Sequence, residues 1–360
     1  MLLDSEFIAL LKSSTPRLLN LLEGFSQVKV LVVGDLTLDE FMTGQVERIS
    51  REAPVLILRH ENTDRVPGGG ANAVYNFAKL GAKVRVVGLV GKDEQGMALR
   101  QIFDDAGVDT TGILVDSDRP TVTKTRISGH ARQSVTQQIV RVDRKSDDLP
   151  GVDLQSQLAE LIQQQVGKVD AVVCSDYGDG VLTKPTIEAS VSHSHRIIVD
   201  TQKNLERYRG ASLFTPNLPE AEHAVGYTIS DFDTLYRAGS DLLKLTDAQQ
   251  ILITRGDEGM SLFDRLAPSE FSPPPFTISG NGGESIYCWH IPAFNRTDVF
   301  DVTGAGDTVV AALTLALGAG ASTWEAAVIG NLAASVVVRK FGTATTTVDE
   351  LRETLEVLVG

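Results

Sequence analysis

Asp301-Val302-Thr303-Gly304-Ala305-Gly306-Asp307-Thr308 is the segment richest in chemistry, and it runs into an apolar helical stretch from Val309 to Leu317. Small residues entering a helix leave the amides of Gly304, Ala305, Gly306 and Asp307 unobstructed and convergent, which makes an anion site. A carboxylate beside a bound phosphate repels it unless it has another task. Asp307 is therefore a candidate general base, taking the proton of a hydroxyl as that hydroxyl attacks a phosphoryl group held on the helix end. An ordinary N-cap with glycine spacers would look similar. A second segment, Pro67-Gly68-Gly69-Gly70-Ala71-Asn72-Ala73, also leads into a helix. Its glycines permit close backbone approach, and Asn72 can both donate to and accept from a polyol. Gly68, Gly70 and Ala73 satisfy GxGxxA, but the preceding Glu61 to Pro67 is polar and ends in proline, so the buried strand of a dinucleotide fingerprint is missing. No GxxxxGK[ST] occurs, since Gly91-Lys92 is followed by Asp93, which excludes a P-loop.

The elements that must position these segments follow from periodicity. Val28 to Val33 is a continuous apolar-rich run ending at Gly34-Asp35, and comparable runs recur at Val84–Val90, Ala171–Cys174, Arg196–Val199, Leu213–Phe214 and Ile251–Thr254. Helical spacing separates them at Ala71–Lys79, Met97–Asp105, Leu154–Gln165, Glu220–Val225 and Tyr236–Leu245. Strands alternating with helices predict an α/β, doubly wound, mostly parallel sheet. Two strand-like polar stretches, about 43–60 and 121–142, break the rhythm and predict a small β-sheet lid. Residues 1–27 are expected as a helical extension, broken into two short helices at Pro16 and serving packing or oligomer contact, with 28–360 as the main body. The 268–283 stretch, with three consecutive prolines and Asn281-Gly282-Gly283, is expected as a surface loop.

The chain has 360 residues, 33 Lys+Arg against 47 Asp+Glu, and a net charge of −14. That deficit of cations argues against a nucleic-acid binder. With 42% hydrophobic and 22% charged residues, the composition is that of an ordinary globular protein. Cys174 and Cys288 form no motif and are expected as free thiols. The acidic start is not a secretory signal, and the run Val309–Ala321 is too short and interrupted to span a bilayer, so a cytoplasmic location is expected. His193 and His195 are expected at the surface without metal, and Trp289 and Trp324 in packing.

Gly69-Gly70-Ala71-Asn72, followed by Gly81 and Gly91, together with Asp301 to Asp307, resemble the two signatures of ribokinase-like (PfkB) sugar kinases. Asn217-Leu218-Pro219-Glu220 resembles that family's Asn-x-x-Glu, Thr254-Arg255-Gly256-Asp257-Glu258-Gly259 its nucleotide-side element, and Gly34 to Asp39 its opening strand. The resemblance covers about residues 28–350. Within the family, Glu47 to Val55, Ser175-Asp176-Tyr177, Asp200 to Lys203, Arg207 to Gly210 and Thr215 to Leu218 are similar to heptose 7-phosphate kinases. Departures are Arg51 where a proline is usual, Gln202 within a stretch usually written Asp-Pro-Lys, and a long 268–283 loop.

The resemblance implies ATP-dependent phosphorylation of the anomeric hydroxyl of D-glycero-D-manno-heptose 7-phosphate, with Asp307 as base and Gly304, Ala305 and Gly306 as its anion hole. It implies Asp35, Asp39, Gly69, Gly70 and Asn72 on the sugar, with Lys124 and Arg141 drawn from a lid cluster that also holds Arg48, Arg51 and Arg126. Asn217, Glu220, Lys203, Thr254, Gly256 and Gly259 are implied on ATP, with Asn217 and Glu220 organising Mg²⁺ through water. A monovalent cation and a homodimer paired through lid strands are further implications. Many relatives carry a nucleotidyltransferase domain after the kinase, whereas this sequence stops at Gly360, so a separate nucleotidyltransferase is expected. The competing readings are a kinase for another sugar or nucleoside and a non-catalytic sugar- or nucleotide-binding relative.

Overall fold

The computed structural model describes residues 5–131, 135–192, 196–280, 284–295, 299–340 and 342–360. In chain order, helix α1 (Ser5–Gly24) precedes strands β1 (Lys29–Gly34), β2 (Leu36–Ile49) and β3 (Leu56–Gly69). Then come α2 (Gly70–Lys79), β4 (Lys83–Gly91), α3 (Glu94–Asp105), β5 (Asp109–Asp116), β6 (Val122–His130) and β7 (Gln137–Arg144). The middle of the chain forms α4 (Val152–Gln165), β8 (Ala171–Asp176), α5 (Lys184–Val191), β9 (Ile197–Thr201), β10 (Leu213–Phe214), α6 (Leu218–Val225) and α7 (Phe232–Thr246). The last part forms β11 (Gln250–Thr254), β12 (Met260–Asp264), β13 (Phe276–Ser279), β14 (Ser285–Ile291), α8 (Ala305–Gly318), α9 (Thr323–Val337) and α10 (Val348–Val359).

Among the described residues the strands form two sheets, one of ten strands ordered β13-β14-β12-β11-β10-β9-β8-β1-β4-β5 and one of four ordered β3-β2-β6-β7. From β5 to β11 the large sheet is parallel, and β12, β14 and β13 close it antiparallel. The buried run of β1 explains its central place. Val30 and Val32 face one core with α1, α2, α8 and α9, while Leu31 and Val33 face a second core with α4, α5 and α7. Side chains alternate across a strand, so a strand covered on both faces must be apolar throughout. Strand order runs outward in both directions from β1 and β8, and such a reversal opens a crevice beyond the strands' carboxyl ends.

The small sheet is rooted in that crevice. Its strands run longer than the periodicity predicts: β2 starts at Leu36, directly after Asp35, and β3 ends at Gly69, directly before α2. The polar stretch Glu61 to Pro67 is thus strand, but on an outer strand of the small sheet, where a proline is tolerated.

Two other expectations are corrected. The N-terminal segment is one helix with Pro16 inside it, because Leu11, Leu18, Leu21 and Leu22 are buried along a single face. Continuous packing outweighs the local cost of proline, and Thr15 Oγ1 and Ser14 Oγ donate to the carbonyls of Leu11 and Leu10 in the turn before it. The proline-rich stretch contains β13, paired antiparallel with β14, because Phe276-Thr277-Ile278 favours extended structure once the prolines end. Asn281 to Gly283, His193 and His195 lie outside the described residues. Cys174 and Cys288 are buried free thiols. Among the described residues no helix is long and apolar enough to cross a membrane.

Candidate active site

Helix α8 starts at the crevice. Gly304 precedes it with φ +77°, and a Cβ there would stand 2.6 Å from Asn72 Nδ2, so only glycine lets α2 and α8 approach this closely. The approach brings together side chains 235 positions apart: Asn72 Nδ2 donates to Asp307 Oδ2 at 2.8 Å. A second link follows one turn on, where Thr308 Oγ1 donates to Asn76 Oδ1 at 2.9 Å. Asn76 Nδ2 in turn donates to Asn72 Oδ1 at 3.2 Å, and this fixes which face of the Asn72 amide meets Asp307.

The other carboxylate oxygen accepts from Tyr177 Oη at 3.1 Å. Burial pushes the Asp307 carboxyl up to about 6, against the hydrogen bonds from Asn72 and Tyr177 and the charge of Lys124. A carboxylate at that value is ionised at neutral pH yet basic enough to take a proton. Of the amides in the first turn of α8, that of Ala305 donates to Val302 O at 3.2 Å. Gly306 and Asp307 follow in the same turn, where amides have no partner within the helix.

Two cavities meet at this turn. One, of about 150 Å³, is lined by Asp176, Tyr177, Asp200, Glu220, Gly304 and Asp307 among others. The second, of about 280 Å³, has walls including Val299, Val302, Val309, Val338, Asn295 and Asn331. Thr254 and Gly306 line both. A polar pocket joined to an apolar one across a helix N-terminus has the layout to hold phosphates next to a planar base. Gly256 and Gly259 also line the second cavity; Gly259 sits at φ +88° where a Cβ would stand 2.1 Å from Ile291 O.

Asn217 and Glu220 line the polar cavity but are also bound to each other. Asn217 Oδ1 accepts from the Glu220 amide and Glu220 Oε2 from the Asn217 amide, each at 2.9 Å, as a capping box on α6. Burial raises Glu220, and burial with the charges of Asp307 and Glu220 pushes Asp200 well above the usual carboxylate range.

Asp39 and Lys124 are cross-strand partners on β2 and β6, and Arg126 lies 3.0 Å from Asp39 Oδ1. Gly69 and Gly70 form the β3–α2 junction, with the Gly70 amide donating to Asp35 O at 2.9 Å.

Three residues differ from expectation. Asp35 does not present a free carboxylate, because its oxygens accept from the amides of Tyr177, Asp179 and Val181 at 2.9 to 3.0 Å. Arg141 is on the outer strand β7, in register with Arg126 of β6, but exposed and paired with Asp143 at 2.8 Å. Lys203 is exposed and is not among the residues lining either cavity. Arg48 and Arg51 are exposed as well. The resemblance assigns Tyr177 and Asp200 no role; both are half-buried and line the polar cavity with Asp307, through contacts that local sequence does not reveal.

Residues 28–350 match the family described as pfkB family carbohydrate kinase. "Bifunctional protein HldE" of Desulfatibacillum aliphaticivorans is 40% identical over 337 residues, covering 92% of this chain and 64% of that protein. Its namesake in Geobacter metallireducens is 42% identical over 324 residues, covering 88% of this chain and 61% of that protein. The chain thus spans less than two thirds of these relatives' length. Among solved structures, phosphofructokinase-2 from Escherichia coli superposes with a TM-score of 0.70 at 20% identity, covering 92% of this chain and 99% of that one. Arabidopsis thaliana ribokinase complexed with ribose and ATP gives 0.65 at 18%, covering 92% and 98%. These two likenesses show the ribokinase-like fold. With the family match spanning nearly the whole chain and a buried aspartate at the start of α8 lining the polar cavity, the chain belongs to the pfkB family of carbohydrate kinases.

Proposed function

We propose that the protein transfers the γ-phosphoryl group of ATP to the anomeric hydroxyl of a heptose 7-phosphate, with Asp307 as the base. The observation carrying this reading is the position of Asp307: buried, tied at both oxygens, and lining the polar cavity in the first turn of α8, next to Gly306, which lines both cavities. The acceptor hydroxyl gives its proton to Asp307 while its oxygen forms the new bond to the γ-phosphorus. The bond from that phosphorus to the β–γ bridging oxygen breaks, and ADP keeps the electron pair. The base contributes about 10²- to 10⁴-fold in rate. The amides of Gly306 and Asp307 favour negative charge on the transferred group.

The apolar cavity suits the base of the nucleotide, with Thr254 and Gly256 beside its path. Mg²⁺ is implied by this chemistry. Among the described residues no three acidic, His or Cys side chains stand close enough to ligate an ion directly. Asp200 and Glu220, set back around the polar cavity, fit an ion that keeps several waters, with Asn217 and Glu220 holding it through them. Bound with the nucleotide, the ion offsets phosphate charge. On the acceptor side, Asp39, Gly69, Gly70 and Asn72 line the sugar's approach, and Lys124 with Arg126 supplies positive charge for the substrate's own phosphate.

The heptose assignment is supported by the HldE relatives and by the sequence resemblance. A nucleotidyltransferase acting on the product would be supplied outside these residues. Exposed Ile139, Val140 and Val142 on the outer strand β7 support pairing with a second copy, and the buried free thiols are consistent with a cytoplasmic site.

The test is ADP release by purified protein with a panel of sugars and sugar phosphates. Turnover on heptose 7-phosphate is expected. Turnover on ribose or fructose alone removes the substrate, and none on any acceptor removes the kinase. Asp307→Asn is expected to bind ATP normally while losing at least 10²-fold in kcat; an unaltered kcat removes Asp307 as base.

A further inference from the structure

The bond between Tyr177 Oη and Asp307 Oδ1 joins residues 130 positions apart, and two carboxylates are committed to the loop that makes it. Asp35, at the end of β1, accepts from the amides of Tyr177, Asp179 and Val181 at 2.9, 3.0 and 2.9 Å. Asp176, directly before Tyr177, accepts from the Gly178 amide at 3.0 Å through Oδ1. Its Oδ2 accepts from Tyr208 Oη at 2.7 Å and pairs with Arg207 at 3.2 Å. Asp35 and Asp176 are each about 95% buried or more, where an ionised carboxylate persists only with several donors. A loop this heavily tied is held for what it presents, and it presents one hydroxyl to the carboxylate at the head of α8.

We infer that Tyr177 is the positioning residue of Asp307. Its hydroxyl fixes one carboxylate oxygen as Asn72 fixes the other, so that the carboxylate plane faces the acceptor and stays ionised as substrate closes off water. The inference rests on the reading of Asp307 as base. With both oxygens pinned, the carboxylate cannot rotate about its last bond, and each oxygen keeps a lone pair for the incoming hydroxyl. Reaching the near-attack geometry then requires no reordering of the base.

The groups facing Asp307 set the expected pH behaviour. Asn72 from α2, Tyr177 from the loop after β8 and Lys124 from β6 favour the carboxylate; burial, Asp39 from β2 and Asp200 from β9 oppose it. Tyr177 stays a donor throughout, because burial and the charge of Asp307 push its own hydroxyl well above the ordinary range. Removing that donor favours the protonated base, so the acid limb of the rate profile must move to higher pH.

The experiment compares kcat–pH profiles of wild type, Tyr177→Phe and Asp307→Asn. For Tyr177→Phe the acid limb should move up by about one pH unit, the scale of one hydrogen bond to a charged group. The loss in kcat should shrink as pH rises. If Asp307→Asn is inactive but the Tyr177→Phe limb coincides with wild type, the inference is overturned and the base survives. If Asp307→Asn turns over normally, the base reading itself falls. Site-specific replacement of Tyr177 by 3-fluorotyrosine covers the case of a misfolded Phe variant. A more acidic phenol donates more strongly and should move the limb to lower pH, and an unmoved limb overturns the inference.

Discussion

Gly304→Ala tests the geometry of the site with one methyl group. At φ +77° an alanine carries the left-handed penalty of about 1 to 2 kcal/mol. Its Cβ would stand 2.6 Å from Asn72 Nδ2 and 3.5 Å from Thr343 Cγ2. Ordinary contact requires Asn72 to withdraw by about 0.8 Å, which carries a 2.8 Å hydrogen bond to Asp307 out of range. Rotation offers no escape, because Asn76 holds the other end of the amide. Losing one donor to a buried carboxylate costs about 1.5 to 3 kcal/mol. Strain and lost bond together predict a fold destabilised by about 2.5 to 5 kcal/mol and a kcat lowered by about 10- to 100-fold. Gly306→Ala is the control: its Cβ would meet nothing within 4 Å and its backbone is not left-handed. That variant should melt at or slightly above the wild-type temperature and lose activity only through KM for ATP, since its methyl stands where the two cavities join. Thermal melting and ADP-release kinetics on both proteins decide the matter. Wild-type kcat in Gly304→Ala, or equal melting losses in both, would refute the packing argument.

The wild-type pH profile follows from Asp307. Burial sets its carboxyl at about 6, the base works ionised, and so kcat/KM should fall about tenfold per unit below that pH and be flat above it until another group titrates; activity undiminished at pH 5 contradicts this. Arg17→Ala should destabilise the protein by about 1 to 3 kcal/mol, because Glu325 is 1% exposed and accepts from Arg17 Nε at 2.8 Å. The cost stays below that of a fully buried pair because the Arg17 side chain is 32% exposed. Glu325→Gln in the same background should restore part of the loss, and unchanged melting in Arg17→Ala would show that α1 is held by its leucines alone.

How far the site was legible depends on the range of the interactions. Gly304, Gly306 and Asp307 announce a helix start and its amides within eight consecutive residues, and Gly69 to Asn72 announce a second. The alternation of apolar runs with helical spacing announces the layered sheet. Asp35 has the residue type of a sugar ligand, yet its oxygens are committed to a loop more than 140 positions away. Arg141 and Lys203 are equally good cations on paper, but strand order leaves one on the outermost lid strand and the fold leaves the other exposed. The Asn217–Glu220 spacing has two local meanings, a cap and a cavity wall, and both are realised.

Although other helix starts such as Glu94 and Phe232 lie up to four residues before the apolar spacing that marks them, short-range stereochemistry determined, from residues alone, the glycine-led starts of α2 and α8 and which strands are buried. Such features depend on neighbours within one turn or one pleat. Continuity of α1 through Pro16, the rooting of the lid at Asp35 and Gly69, and the meeting of Asn72, Tyr177 and Asp307 were decided by tertiary structure. Each depends on burial shared between segments distant in the chain, and burial is also what places the Asp307 carboxyl near the pH at which a base is useful.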